Sequence, residues 1–200
     1  MSIYNRIRSK LLRELKAHHR GKTEYQKDMT FDDTEHPWYE PVLAGPSRFV
    51  PQCTGSDTIK GVVAVLEKLD GDDYVQFNID YYKKGLERFG GNWFYADINT
   101  VLYGIARSID ISAYMEIGVR RGRSMSMVAA IHPYAQLFGF DMWIQNYVGI
   151  ENPGPEFVQR ELERVGYKEK AECITGDAKR TVPVFLGENA VLFVDVNTVE

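Results

Sequence analysis

The sequence predicts an α/β fold: a mostly parallel sheet of about four strands, preceded by an N-terminal helical extension. Three observations lead there. After residue 110, short apolar runs bounded by turn residues alternate with stretches of helical periodicity. Consecutive parallel strands need such crossovers, so the alternation implies a sheet with helices on its faces. Before residue 110 the periodicity is helical only. Finally, 44% of the 200 residues are hydrophobic and 26% charged, enough to bury a core.

Residues 3–16 predict an amphipathic helix, because Ile3, Ile7, Leu11, Leu12 and Leu15 recur at three- and four-residue spacing among basic side chains. Residues 1–22 hold seven basic side chains and one acid, a net +6 against −10 for the remainder. A helix of this kind suits an anionic membrane surface or contact with another subunit. Residues 21–56 carry Pro41, Pro46 and Pro51, Gly21, Gly45 and Gly55, and the aromatics Phe31, Trp38 and Tyr39, so an irregular wrapping segment is expected. Residues 1–56 therefore form a first region.

Asp57 is the expected N-cap of a helix reaching about Leu69 and closed by Gly71. A second helix is expected over 73–89, with Tyr74, Phe77, Tyr81 and Leu86 on its mixed face. A third spans 96–109, with Ile98, Val101, Leu102, Ile105 and Ala106 aligned. Together, residues 57–110 read as a helical cap. From there the pattern gives strands at Ile111–Ile117, Gln136–Phe140, Ala171–Thr175 and Ala190–Val196. Helices at Ser124–Ile131, 155–165 and 177–186 separate them.

Several function classes are disfavoured. A net charge of −4 argues against a whole-surface nucleic-acid binder. Two cysteines, Cys53 and Cys173, supply neither a disulfide scaffold nor a four-cysteine zinc site, so a cytoplasmic location is the default expectation. No apolar run approaches the ~18 residues of a membrane span, and the basic residues of the first helix are scattered, unlike those of a secretory signal. His18, His19, His36 and His132 have no metal-ligand spacing, so no metal is expected.

The chemistry concentrates in Tyr114-Met115-Glu116-Ile117-Gly118-Val119-Arg120-Arg121-Gly122-Arg123-Ser124, which joins the first strand to its helix. An open α/β sheet places its ligand there, at the carboxyl ends of the strands. Glycines four apart allow a tight turn and close backbone approach, and the helix that follows offers free N–H groups. A dinucleotide fingerprint would need a middle glycine where Arg120 stands, and a phosphate-binding P-loop would need a lysine that is absent.

What remains, Glu116-x-Gly118-x-x-x-Gly122, resembles motif I of the class I S-adenosylmethionine-dependent methyltransferases. It is most similar to the small-molecule and sugar O-methyltransferases that open with Met115-Glu116-Ile117-Gly118 and continue Gly122-Arg123-Ser124. Gly139-Phe140-Asp141 follows in register, as do Ile174-Thr175-Gly176-Asp177-Ala178 and Leu192-Phe193-Val194-Asp195, so the resemblance covers roughly residues 111–196. It implies a partial Rossmann-like domain over 111–200 that binds S-adenosylmethionine and methylates a small-molecule hydroxyl, a sugar or glycoside among the candidates. It also implies an assembly of like subunits.

Under the resemblance Asp141 takes the ribose hydroxyls, Asp177 the adenine amino group and Trp143 the adenine face. Glu116 orders the loop or meets the amino end of the cofactor, and Ser124 holds its carboxylate. Arg120, Arg121 and Arg123 are expected in solvent, with one of them open to holding a carboxylate- or phosphate-bearing substrate. An Asp at a strand end also commonly caps the next helix, which stays open for Asp141 and Asp177. A nicotinamide-dependent oxidoreductase and a non-catalytic interaction module stay open too.

Relatives of this kind often follow the fourth strand with an acidic run containing histidine. Here the chain reads Asp195-Val196-Asn197, leaving Asp195 as the candidate general base. Such enzymes have seven strands and this sequence reaches four, so a truncated domain with an exposed apolar fourth strand is expected.

Overall fold

The computed structural model describes residues 46–146, 149, 151–188 and 193–196, with the backbone alone at 46–48, 188 and 193–196. The expected helix at 3–16 and the segment 21–45 lie outside the described residues. The remainder of the wrapping segment is not irregular, because Pro46–Thr54 forms helix α1. Pro46 occupies the first helical position, where the missing N–H has no intrahelical acceptor to lose and the fixed φ suits the helix.

Helix α2 (Ser56–Leu66) starts one residue before the expected cap: Gly55 is the N-cap and Asp57 sits in the first turn. Helix α3 (Asp73–Phe89) has the predicted limits, and its Asp72 N-cap accepts from the Val75 N–H at 2.8 Å. The buried stripe of α3 differs from the expected one. Val75, Asn78, Ile79 and Tyr82 face inward, whereas Tyr74, Phe77 and Tyr81 remain exposed. A short 3-10 turn (Gly90–Asn92) leads to α4 (Ile98–Ala106), fixed by a capping box between Asp97 and Thr100. Gly104 lets α4 meet α1 backbone to backbone, since a Cβ there would lie 2.6 Å from both Cys53 Cα and Gln52 O.

The α/β part runs β1 (Ala113–Ile117), α5 (Arg123–Ala129), β2 (Gln136–Asp141), α6 (Pro155–Val165), β3 (Glu172–Thr175), α7 (Ala178–Glu188) and β4 (Phe193–Val196). All pairings are parallel, and the strand order is β3-β2-β1-β4. This is the predicted α/β class, and the order is the first half of a doubly wound sheet. Among the described residues β4 pairs only with β1, so it lies at the margin of the sheet.

Alternation along the strands separates two cores. Tyr114 and Leu137 join α5 and α6 in the larger one, with Met125, Met127, Val158 and Leu162. On the other face Ala113, Met115, Phe138 and Phe140 pack against Phe185 of α7. The larger core runs without interruption through the expected boundary at residue 110. Ile59, Val62, Leu66, Val75, Ile79, Tyr82 and Leu102 belong to it alongside the α5 and α6 side chains. The helices before the sheet thus form a layer continuous with α5 and α6. No helix among the described residues is long and apolar enough to cross a membrane.

Candidate functional site

The strand order reverses beside β1, because β2 and β3 lie to one side of it and β4 to the other. The turn leaving β1 therefore sits at the switch point, where open α/β sheets receive ligands. Three of its residues have left-handed backbone: Gly118 (φ 87), Arg120 (φ 52) and Gly122 (φ 72). Gly118 N donates to Phe140 O at 2.8 Å, and Gly122 N to Val119 O at 2.8 Å. A Cβ on Gly122 would also come within 2.9 Å of Val158 Cγ1 on α6. Both predicted glycines therefore lie in the turn, and Gly122 doubles as a packing residue. Helix α5 begins at once but has only seven residues.

Arg120 adopts a conformation that costs a non-glycine residue of order 1–3 kcal/mol. The compensation comes from β2, where Asp141 Oδ2 accepts the Arg120 N–H at 3.0 Å. Asp141 Oδ1 accepts from Trp143 N and from Asn152 Nδ2, both at 2.9 Å. A carboxylate offers about four acceptor positions, and three of Asp141's are taken by these bonds. The expected hold on the ribose hydroxyls would share the carboxylate with them.

Glu116 is fully buried on the α5 face of β1. Its Oε2 accepts from the Tyr114 hydroxyl at 2.6 Å and its Oε1 from the Ser124 hydroxyl at 2.7 Å. Of its two expected roles the geometry supports loop ordering: the carboxylate ties the end of the strand to the first turn of α5. Ser124 corrects an expectation, because its hydroxyl proton is committed to Glu116 and is not offered to a ligand carboxylate. Tyr114 escaped the sequence reading, although it sits two residues before Glu116 and so shares its face.

Trp143 also has left-handed backbone (φ 53) and is half-buried against the larger core. Among the described residues its ring Nε1 is buried with no hydrogen-bond partner, as is Oδ1 of the buried Asn152. Both residues bond Asp141. Unsatisfied buried groups cost about 1–3 kcal/mol each, so holding Asp141 carries a local cost. Asn152 carries no motif that would have singled it out in the sequence.

Asp177 is exposed. Its Oδ1 accepts Lys179 N at 3.0 Å, which makes it the cap of α7. The turn that carries it still reaches the site, since Gly176 N donates to Asp141 O at 3.0 Å. Asp195 is the Cα partner of Glu116 in the β1–β4 ladder, but its side chain lies outside the described residues. Cys173 stands opposite Gly139. Burial, then the Asp141 charge, push its thiol up to about 11, so it stays protonated at neutral pH.

The arginines are the clearest departure from expectation. Arg121 is 9% exposed and Arg123 is half-buried, not solvated. Arg121 Nε pairs with Asp72 Oδ2 at 3.2 Å, its Nη1 with Glu151 Oε2 at 2.5 Å, and its guanidinium covers the Phe157 ring at 4.5 Å. Arg123 Nη1 reaches both Asp72 oxygens at 3.1 Å and lies 4.5 Å over Tyr74. Burial pulls the Arg123 guanidinium below its ordinary pKa, and the Asp72 charge opposes that pull. Sequence reading missed these pairs because Asp72 stands 51 residues from Arg123.

No family model and no curated protein matches this chain.

Among the described residues no group of three or more His, Cys, Asp or Glu is placed to hold a metal ion. His132 is held structurally, its Nε2 2.8 Å from Ala106 O. What the site gathers is a turn with three left-handed residues, the Asp141 carboxylate bonded to it, and Trp143 and Asn152 on the same carboxylate. None of these groups is an activated nucleophile.

Proposed function

We propose that this chain contains the S-adenosylmethionine-binding part of a methyltransferase that modifies a hydroxyl of a small molecule, a sugar or glycoside being one class. The observation that carries the reading is the joint made by Asp141 with the glycine turn. A carboxylate at the end of β2 bonds the Arg120 N–H and so stands directly beside the switch-point turn. A nucleoside with ribose hydroxyls fits that position.

Trp143 and Asn152, both bonded to Asp141, would hold that carboxylate in place beside the bound nucleoside. Gly118 and Gly122 would keep side chains out of the way of the bound group, and Glu116 would hold the turn in shape from behind. When bound, the cofactor supplies an already activated methyl group, so the protein's task is positioning plus one proton acceptor. Asp195, at the β4 end in register with Glu116, is the candidate acceptor. Asp177 enters this reading through its backbone turn only. A cytoplasmic location and an assembly of like subunits belong to the same reading.

The test is a thermal-shift titration of the full chain with S-adenosylhomocysteine. Ligand at a hundred times its Kd adds about 2.7 kcal/mol by mass action, a shift of several degrees. Asp141→Ala should lose most of it. A folded protein with no shift at millimolar ligand overturns the reading, and a shift with NADH alone replaces it with a nicotinamide oxidoreductase.

A further inference from the structure

The two turns that flank the proposed ligand position are joined twice. The first joint is direct, Arg120 N to Asp141 Oδ2 at 3.0 Å. The second runs around the back. Arg121 Nη1 holds Glu151, and the next residue, Asn152, donates to Asp141 Oδ1 at 2.9 Å. Arg120 and Arg121 are adjacent in the chain, so the bonds form a closed circuit around the ends of β1 and β2. The circuit is anchored outside the sheet. Arg121 Nε and Arg123 Nη1 both end on Asp72, and Arg121 Nη2 lies 3.4 Å from Asp70 O. Helix α6 meets the same turn, since the buried Glu161 accepts Asp70 N at 2.7 Å.

The bonds on Asp72 have weight because they are shielded, whereas Glu151 on the second joint is 67% exposed. The Arg121 side chain is 10% exposed, Arg123 21% and Asp72 30%, well inside the range where charge-assisted pairs hold a geometry. An arginine placed between two left-handed residues has no local reason to be buried. Its burial follows from partners in a different layer. The 70–72 turn therefore does more than connect α2 to α3.

We infer that Asp72 is a positioning residue of the site: through Arg121 and Arg123 it sets the conformation of the 118–122 turn, and with it the affinity for an S-adenosyl ligand. The role rests on the proposed function for its ligand, but not for the turn it holds. No contact between Asp72 and the ligand is required.

Asp72→Asn separates this role from the structural one. Asparagine caps a helix as well as aspartate does, so α3 keeps its start while both guanidiniums lose the Asp72 charge, Arg121 retaining Glu151 alone. Hydrogen exchange is followed on peptides covering 73–89 and 116–126 of the ligand-free full chain, beside the Kd for S-adenosylhomocysteine. Exchange in 73–89 should match the wild type, exchange in 116–126 should rise about tenfold, and the Kd should weaken by about tenfold, as expected for losing a charge-assisted bond. Arg121→Met, which keeps the stem over Phe157, should reproduce both changes. Unaltered exchange in 116–126 with an unaltered Kd overturns the inference, and so does an equal rise in both peptides. If the wild type binds no S-adenosylhomocysteine, the methyltransferase reading fails. The exchange contrast then decides alone whether Asp72 holds the turn.

Discussion

The turns after β1 and β3 both lie at the carboxyl edge of the sheet, each carrying a strand into a helix, yet they are held in opposite ways. The turn after β3 is local: Asp177 caps its own helix from an exposed position, and its reach beyond is one backbone bond from Gly176 to Asp141. The turn after β1 is held from four directions. Glu116 grips it from below, Asp141 from β2, Val158 packs under Gly122, and Asp72 pairs with its arginines from a different layer. The difference teaches that position in the fold sets where a ligand turn is, while long-range partners set how firmly it is shaped. A firmly shaped turn binds with less ordering cost.

The contrast can be broken by substitution, and the expected losses fall in order. Glu116→Ala removes the carboxylate that the buried Tyr114 and half-buried Ser124 hydroxyls donate to and leaves a void beneath α5, so a loss of about 3 kcal/mol is expected in urea melts. Gly122→Ala forces a Cβ into left-handed backbone against Val158, for about 2 kcal/mol by the same measurement. Asp177→Ala removes a helix cap alone, about 1 kcal/mol, and Asp177→Asn should leave stability nearly unchanged. If Asp177→Ala costs as much as Glu116→Ala, the two turns are not held differently.

The smallest expected effect concerns pH. Burial raises the Glu161 carboxyl above its ordinary value, opposed by the Asp70 N–H and Arg164. Its contribution is therefore fully present below the unfolded value of about 4.3 and is lost as pH rises through the higher folded value. Glu161→Gln has no such titration. The variant should gain on the wild type between pH 4 and pH 7, read as the difference between their urea midpoints. A constant difference would show that the carboxyl is not buried against the 70–72 turn.

Much of the fold was legible because its signals are local. The limits of α3 and α6 came out as predicted, since Asp72 and Pro155 mark their starts and Gly90 and Gly166 follow their ends. All four strands stood out as short apolar runs between turn residues. The inward stripe of α3 was not legible, because Tyr74, Phe77 and Tyr81 form as good a helical stripe as Val75, Ile79 and Tyr82. Only the position of the neighbouring helices chooses between them. The turn at Gly118 and Gly122 and the place of Asp141 at the end of β2 were legible from spacing. Ser124, Arg121 and Arg123 were misassigned for a common reason: each is committed to a partner that spacing within a motif does not display. Asp72, itself readable as a helix cap, gave no sign of its second task.

The strand order carries a consequence for the birth of the molecule. As the chain leaves the ribosome, β2 and β3 can add to β1 on one side within a few dozen residues, each through a short crossover. The other side of β1 waits for β4, the last strand in sequence order. The strand that bears Glu116 is thus half-paired until β4 emerges, and the closure that completes it spans the longest stretch of chain among the described strand pairings, which is the slow kind. The most tightly held turn of the described sheet follows the strand that waits longest for its second neighbour.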